Sequence, residues 1–386
     1  MRYHLGPLRF GGRFDIVPLM IVAIAVLIIA VLGLQTPADS SQQMAASSQG
    51  EPGASEVSEI QARAAKGDPE AEVRLARAYM LGDGVQADVG KAVEWYRKAA
   101  DSGNPEAQNA MGIMYMSGDG VYRDKPAAVA WYRKAARQGY PDAMFNLGAA
   151  YYNGDGVPID DGSAFAWFTL AKEAGNPNAA KALEETAGDR KPWNEAEGYK
   201  HIAELYGPGG LLGESSTTAL RWWLLAAKGG DTEAQVMTAD IFLNGRGVPQ
   251  DLAAGRHWCE EAAKVQDFRS FYCLGEIYRR GLGVKQNYTL ARNWYERSAR
   301  QRSALSIRAL AEMDAAGQGG KRNLESASVR YATLVASLGD KSDAIRLAAL
   351  KSQIPPKRWT EVEKQLAAMR IDTAKLDRAL KSAAAQ

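Results

Sequence analysis

The chain has 386 residues, 46% of them hydrophobic and 24% charged, enough to bury a large interior. Its formal net charge of +2 argues against a nucleic-acid binder at the level of the whole chain. Three histidines (His4, His201, His257) and two cysteines (Cys259, Cys273) are too few for a disulfide framework or a typical structural zinc site.

Residues 1–15 form a short N-terminus carrying Arg2, Arg9 and Arg13. Ile16 to Leu34 follow without a charge, a span of about 29 Å as a helix at ~1.5 Å per residue, close to the hydrocarbon thickness of a bilayer. The first cation after it is Arg63, so the positive-inside rule places the N-terminus in the cytoplasm and the rest outside it. The span is longer than a usual signal-peptide core and lacks a good cleavage site, so residues 16–34 are expected to be a transmembrane signal anchor; the alternative is secretion after cleavage. Residues 35–56, rich in Ser, Gln, Ala, Pro and Gly, are expected to be a flexible linker.

Beyond the linker the chain repeats every 36 residues. Trp95, Trp131 and Trp167 keep that spacing, as do Tyr79, Tyr115 and Tyr151. The phase returns with Trp222, Trp258 and Trp294, after an inserted segment at 177–195. Complete repeats fall at 69–104, 105–140, 141–176, 196–231, 232–267 and 268–303, with a weaker seventh at 304–340 whose nearest counterpart of the tryptophan is Tyr331. Residues 57–68 read as the second half of a repeat.

Local rules build each repeat as a helical hairpin. In 105–140, Pro105 suits the first turn of a helix, and Ala107, Ala110, Met111, Met114 and Tyr115 line one face at three- and four-residue spacing. Gly118 and Gly120 stop that helix, and Asp124 caps a second one whose face is Ala128, Trp131, Tyr132, Ala135 and Ala136. Asp88, Asp160, Asp251, Asn287 and Asn323 hold the same capping place. One hairpin cannot enclose that much apolar surface, so neighbours must stack into an all-α, right-handed α/α superhelical solenoid. The six tryptophans are expected in the core, filling the space beside the small residues Gly112, Gly148 and Gly275. The chain then divides into blocks 57–195 and 196–370, the second ending in a capping helix at about 358–370, and a tail 371–386 expected to fray.

The strings Leu147-Gly148…Tyr151…Gly154-Asp155-Gly156-Val157 and Trp131-Tyr132-Arg133-Lys134-Ala135-Ala136 resemble the Sel-one-like repeat family, a branch of the tetratricopeptide-like solenoids, over roughly residues 57 to 350. The resemblance implies an adaptor that binds proteins or peptides, and, in bacterial members, a role in the cell envelope.

Chemistry-bearing patterns are weak. The Gly-x-Gly strings lack both a Walker lysine and a preceding strand, and they recur once per repeat as turns. Those with a downstream aspartate lack the alternating ligands and closing glutamate of a calcium loop. His201 and His257 have no ligand or triad partners at recognisable spacing, so no catalytic, cofactor or metal residue is assigned. Cys259 and Cys273 fall on adjacent helices of successive repeats; whether they are bridged is open, and related cysteine-rich repeats place their pair nearer the turn. Trp193, Trp223 and Trp359 stand off the repeating position and are the candidates for partner contact. Repeat 268–303 has eight basic residues against Glu276 and Glu296, so Arg279, Arg280 and Arg292 are candidates for docking an acidic or anionic partner. The expected function is a non-enzymatic protein-interaction scaffold of the bacterial envelope, anchored in the inner membrane with its repeats in the periplasm. A periplasmic negative regulator of a membrane sensor or polysaccharide synthase is one alternative, and a glycan-acting enzyme is another.

Overall fold

The computed structural model describes residues 54–186 and 194–384. The expected anchor 16–34, nearly all of the linker, and Trp193 lie outside the described residues. Among the described residues there are nineteen helices and no strand, and no helix is long and apolar enough to cross a membrane.

Two compact units divide at Trp222 and Trp223. The first contains α1 (Ala54–Ala65), α2 (Pro69–Leu81), α3 (Val89–Asp101), α4 (Pro105–Ser117), α5 (Lys125–Arg137), α6 (Pro141–Asn153), α7 (Asp161–Glu173), α8 (Ala179–Thr186) and α9 (Glu195–Leu205). Helix α10 (Ser216–Lys228) carries the division. The second unit contains α11 (Thr232–Asn244), α12 (Leu252–Ala263), α13 (Phe268–Arg280), α14 (Tyr288–Arg300), α15 (Ala304–Ala316), α16 (Leu324–Leu338), α17 (Lys341–Lys351), α18 (Pro356–Ala368) and α19 (Thr373–Ala384).

The hairpins form for the local reasons the sequence suggests. Asp88, Asp124, Asp160, Asp251, Asn287 and Asn323 each precede a second helix, and each side chain accepts from the amide three residues on, at 2.9–3.0 Å. Such a cap satisfies one of the amides a helix start leaves open, worth about 1 kcal/mol. First helices end on glycines in the left-handed region, as at Gly118 with φ 91°, except α9, which ends on Tyr206 with φ −101°. The second glycine of the turn meets the preceding repeat at Gly120, Gly156, Gly283 and Gly319. At Gly156, φ is 76° and a Cβ would sit 2.4 Å from the Lys125 carbonyl oxygen, so only glycine lets the turn lie on the start of α5.

The expected core face of 105–140 is present: Ala107, Met111, Ala128, Tyr132, Ala135 and Ala136 are fully buried. The expectation for the tryptophans needs correction. Trp167 and Trp222 are buried, but Trp95, Trp131, Trp258 and Trp294 are only partly so. The innermost aromatic is the next residue: Tyr132, Phe168 and Tyr295 are 0% exposed. These rings, not the indoles, fill the space beside the first-helix glycines. A Cβ on Gly112, Gly148 or Gly275 would lie 2.5, 2.6 or 2.4 Å from them respectively. Tyr331 belongs to this inner series, and the tryptophan position of the seventh repeat is held by Arg330.

The inserted segment begins as α8, which lays Ala179 and Ala182 on α7. Helix α9 also packs on α7, with the Phe165 and Tyr199 rings 5.5 Å apart, so the elements on either side of the insertion meet directly. The expected capping helix is α18. The expected fraying tail is instead the ordered helix α19, whose Leu376 and Leu380 bury beside Leu347 and Trp359 in the terminal core.

Candidate partner-binding surface

In the second unit, a groove of about 400 Å³ runs across the first helices α11, α13 and α15. Its apolar lining includes Val236, Met237, Phe268, Tyr272 and Leu305. Phe268 is 38% exposed and Leu305 52%, so the repeat stacking leaves large apolar groups in water here. Three of the four charged residues in the lining are already paired. Asp240 lies 2.9 Å from Arg246, Glu276 lies 2.8 Å from Arg279, and Arg269 bonds Asp267 at 3.1 Å. Tyr295 donates to the same Glu276 carboxylate; burial first, and then this contact, raise its phenol pKa. The fourth, Arg280, is exposed at the end of α13 and has no ion pair or hydrogen bond among the described residues.

The candidate contact residues fare unequally. Trp223 and Trp359 are 6% and 7% exposed and cannot reach a partner. Trp359 is part of the terminal core, its indole N–H donating to Glu363 and the Lys351 ammonium 4.7 Å from its ring centre. Arg279 is committed to Glu276 and the Tyr295 hydroxyl. Arg292 is committed to Asp314 at 2.6 Å and to the Gln318 carbonyl at 3.0 Å. Of the basic trio, Arg280 alone keeps the exposure a docking role requires.

Set beside known proteins, the chain matches the Sel1 repeat over residues 69–104, 105–140, 141–176, 196–231, 232–267 and 272–303. The chain belongs to the Sel1 repeat family. Membership points to a protein–protein interaction scaffold. Similar solved structures include a protective antigen present in uropathogenic Escherichia coli strains that displays an SLR fold, at 27% identity. That match covers 85% of this chain and 71% of the antigen, with a TM-score of 0.43. Another is a Sel1 repeat protein from Oxalobacter formigenes, at 21% identity, 92% and 95% coverage and a TM-score of 0.45. No curated relative matches.

Within the Sel1 framework, the polar groups that come together beside His201 and at the repeat ends serve the repeat. Ser163 donates to Asp160 at 2.8 Å and lies 3.3 Å from His201 Nδ1. A hydrolytic triad needs the imidazole between carboxylate and hydroxyl, whereas here the hydroxyl stands in the middle and the carboxylate caps α7. Burial opposes ionisation of Asp160, but its hydrogen bonds from Ser163 outweigh that and lower its pKa. Gln108 and Gln235 donate to Ala100 and Ala227, carbonyls at the end of the preceding Sel1 repeat. At the equivalent Glu72, which has no N–H to give, Lys98 reaches both Ala64 O at 3.3 Å and the Glu72 carboxylate at 2.9 Å.

Cys259 of α12 and Cys273 of α13 are joined as a disulfide between successive Sel1 repeats, with their Cα atoms 6.0 Å apart. Cys273 also lines the groove. The bond closes a short loop, for which the chain-entropy estimate is about 3 kcal/mol. Reduction should therefore lower the urea midpoint of the second unit, and a Cys259→Ala/Cys273→Ala variant should show no further response to dithiothreitol. Identical unfolding with and without reductant would mean the bond carries no stability.

Proposed function

We propose that the chain is a non-enzymatic adaptor of the bacterial cell envelope, held in the inner membrane by residues 16–34, with its Sel1 repeats in the periplasm. It binds a partner protein on the first-helix side of the second unit. The observation that carries this reading is the groove on α11, α13 and α15, where Phe268 and Leu305 stay exposed while neighbouring polar groups are consumed by internal pairs. Repeat scaffolds recognise partners through such extended surfaces. The Cys259–Cys273 bond supports an oxidising compartment, and the arginines before residue 16 support the orientation.

The placement is tested by fusing alkaline phosphatase, and separately green fluorescent protein, after Gln386. Phosphatase activity without fluorescence is expected; the reverse pattern would put the repeats in the cytoplasm and end the envelope reading. Binding is tested by cross-linking in intact membranes followed by purification. A stoichiometric protein partner is expected, whereas glycan turnover by the pure protein would replace the adaptor with an enzyme.

A further inference from the structure

The groove has a specific chemistry beyond being apolar. A volume of about 400 Å³ lies near the lower end of the roughly 300–1,000 Å³ of ligand sites, so it takes a few side chains of a partner rather than a folded surface. Its floor and rim offer Met237, Phe268, Tyr272 and Leu305 to apolar groups. The carboxylates that border it, Asp240 and Glu276, have their own cations at 2.9 and 2.8 Å and add no free negative charge. Arg280 has no such partner among the described residues, and its planar guanidinium presents a fork of N–H donors suited to a carboxylate. Stabilising the end of α13 asks for a cation there, but Arg279 already stands in that turn, paired. One free positive charge on the edge of an apolar cleft selects for a ligand with the opposite sign beside its apolar part.

We infer that this groove binds a linear segment of a partner protein in which a bulky apolar residue stands next to a carboxylate, the apolar side chain entering between Phe268 and Leu305 and the carboxylate meeting Arg280. The carboxylate comes from an Asp or Glu side chain or from a chain terminus. This inference rests on the adaptor reading and sharpens it.

The test uses the full chain in detergent micelles, panned against a displayed library of random dodecamers. Selected peptides should carry Asp or Glu within two positions of Leu, Phe, Ile or Trp. Synthetic versions are then compared by fluorescence anisotropy with copies in which the acid is replaced by its amide, and with copies whose terminus is free or amidated, which separates the two sources of carboxylate. Arg280→Glu should weaken binding of the acidic peptide at least about tenfold, and the loss should shrink as salt is raised. Lys285→Glu reverses another exposed charge of the same repeat, outside the groove lining, and should leave binding within about twofold. Leu305→Asn should weaken acid and amide peptides alike. Both altered groove side chains are solvent-exposed, and an unchanged circular dichroism melt verifies the fold.

Selection of peptides without carboxylates, no saturable binding, or equal loss with Lys285→Glu would overturn the inference. The adaptor reading fails separately, if cross-linking of wild-type cells recovers no stoichiometric protein partner; if the same partner comes from Arg280→Glu cells in undiminished amount, the scaffold stands and this recognition chemistry does not.

Discussion

Replacing Asp314 by alanine is expected to destabilise the second unit by about 3–5 kcal/mol, the usual cost of removing one member of a buried ion cluster. Its side chain is 7% exposed and gathers Arg292 at 2.6 Å, Arg330 at 2.9 Å and Ser326 at 2.6 Å. Loss of the carboxylate would leave two largely shielded guanidinium groups without their partner. The 36-residue register explains why the cluster exists. Asp314 holds the place of Tyr79, Tyr115, Tyr151 and Tyr278, and Arg330 holds that of the tryptophan. The seventh repeat has thus exchanged an aromatic pair for a charged one. In other repeats an arginine donates to the equivalent tyrosine hydroxyl, as Arg97 does to Tyr115 and Arg133 to Tyr151. Asp314→Tyr combined with Arg330→Trp should therefore recover only part of the lost stability, because it removes the Arg330 charge but leaves Arg292 with the Gln318 carbonyl alone. Urea unfolding followed by circular dichroism measures both variants. A double variant no better than Asp314→Ala would show that the exchange is not a like-for-like substitution.

The same residue gives a pH dependence. Burial would push the Asp314 carboxyl up, but hydrogen bonds from Ser326, Arg292 and Arg330 outweigh it and hold the pKa below the ordinary 3.8. The folded state then binds this proton more weakly than the unfolded chain. Its contribution is present above pH 4 or so and is lost as the pH falls through the folded-state value. Acid unfolding of the wild type should be steeper than that of Asp314→Ala in this range.

Much of the hairpin was legible because it is local. An Asp or Asn that caps, a Gly that must take positive φ, and a Pro at the first helical position act within four residues of themselves, so their 36-residue recurrence reads directly as structure. Contacts between repeats were harder to read. Arg292 counts as surplus charge in repeat 268–303, yet its counter-ion lies 22 residues on, in the next repeat. Trp359 was singled out for standing off the repeat phase, but an off-phase aromatic in a terminal helix can serve to close the core, as this one does beside Leu347 and Leu366. The tail was expected to fray as a chain terminus, but Leu376 and Leu380, one turn apart, place α19 against α17. Arg280 was legible as a charge, but its lack of a partner could be seen only once its neighbours were paired.

Phe168→Ala is expected to cost about 3–5 kcal/mol, while Trp131→Ala, at a partly exposed indole position, should cost less. The sequence favours the opposite ranking, since the tryptophan is the most regular residue of the repeat. Adjacent helix positions point about 100° apart, so a Trp-Tyr or Trp-Phe dipeptide places only one ring against the first helix. The glycine opposite shows which. Gly148 leaves no room for even a methyl group, since a Cβ there would meet Phe168 at 2.6 Å, so Gly148→Ala in the wild type should destabilise by about 1–3 kcal/mol through overpacking. In a Phe168→Ala background the same methyl group enters the vacated space, and its cost should vanish or turn into a small gain. Two substitutions that each destabilise alone but not additively together give a coupling of about 1–3 kcal/mol, measurable in a double-mutant cycle by urea unfolding. Strict additivity would mean that the two residues are not the knob and hole of one hairpin, and that the indole, after all, sets the spacing of the helices.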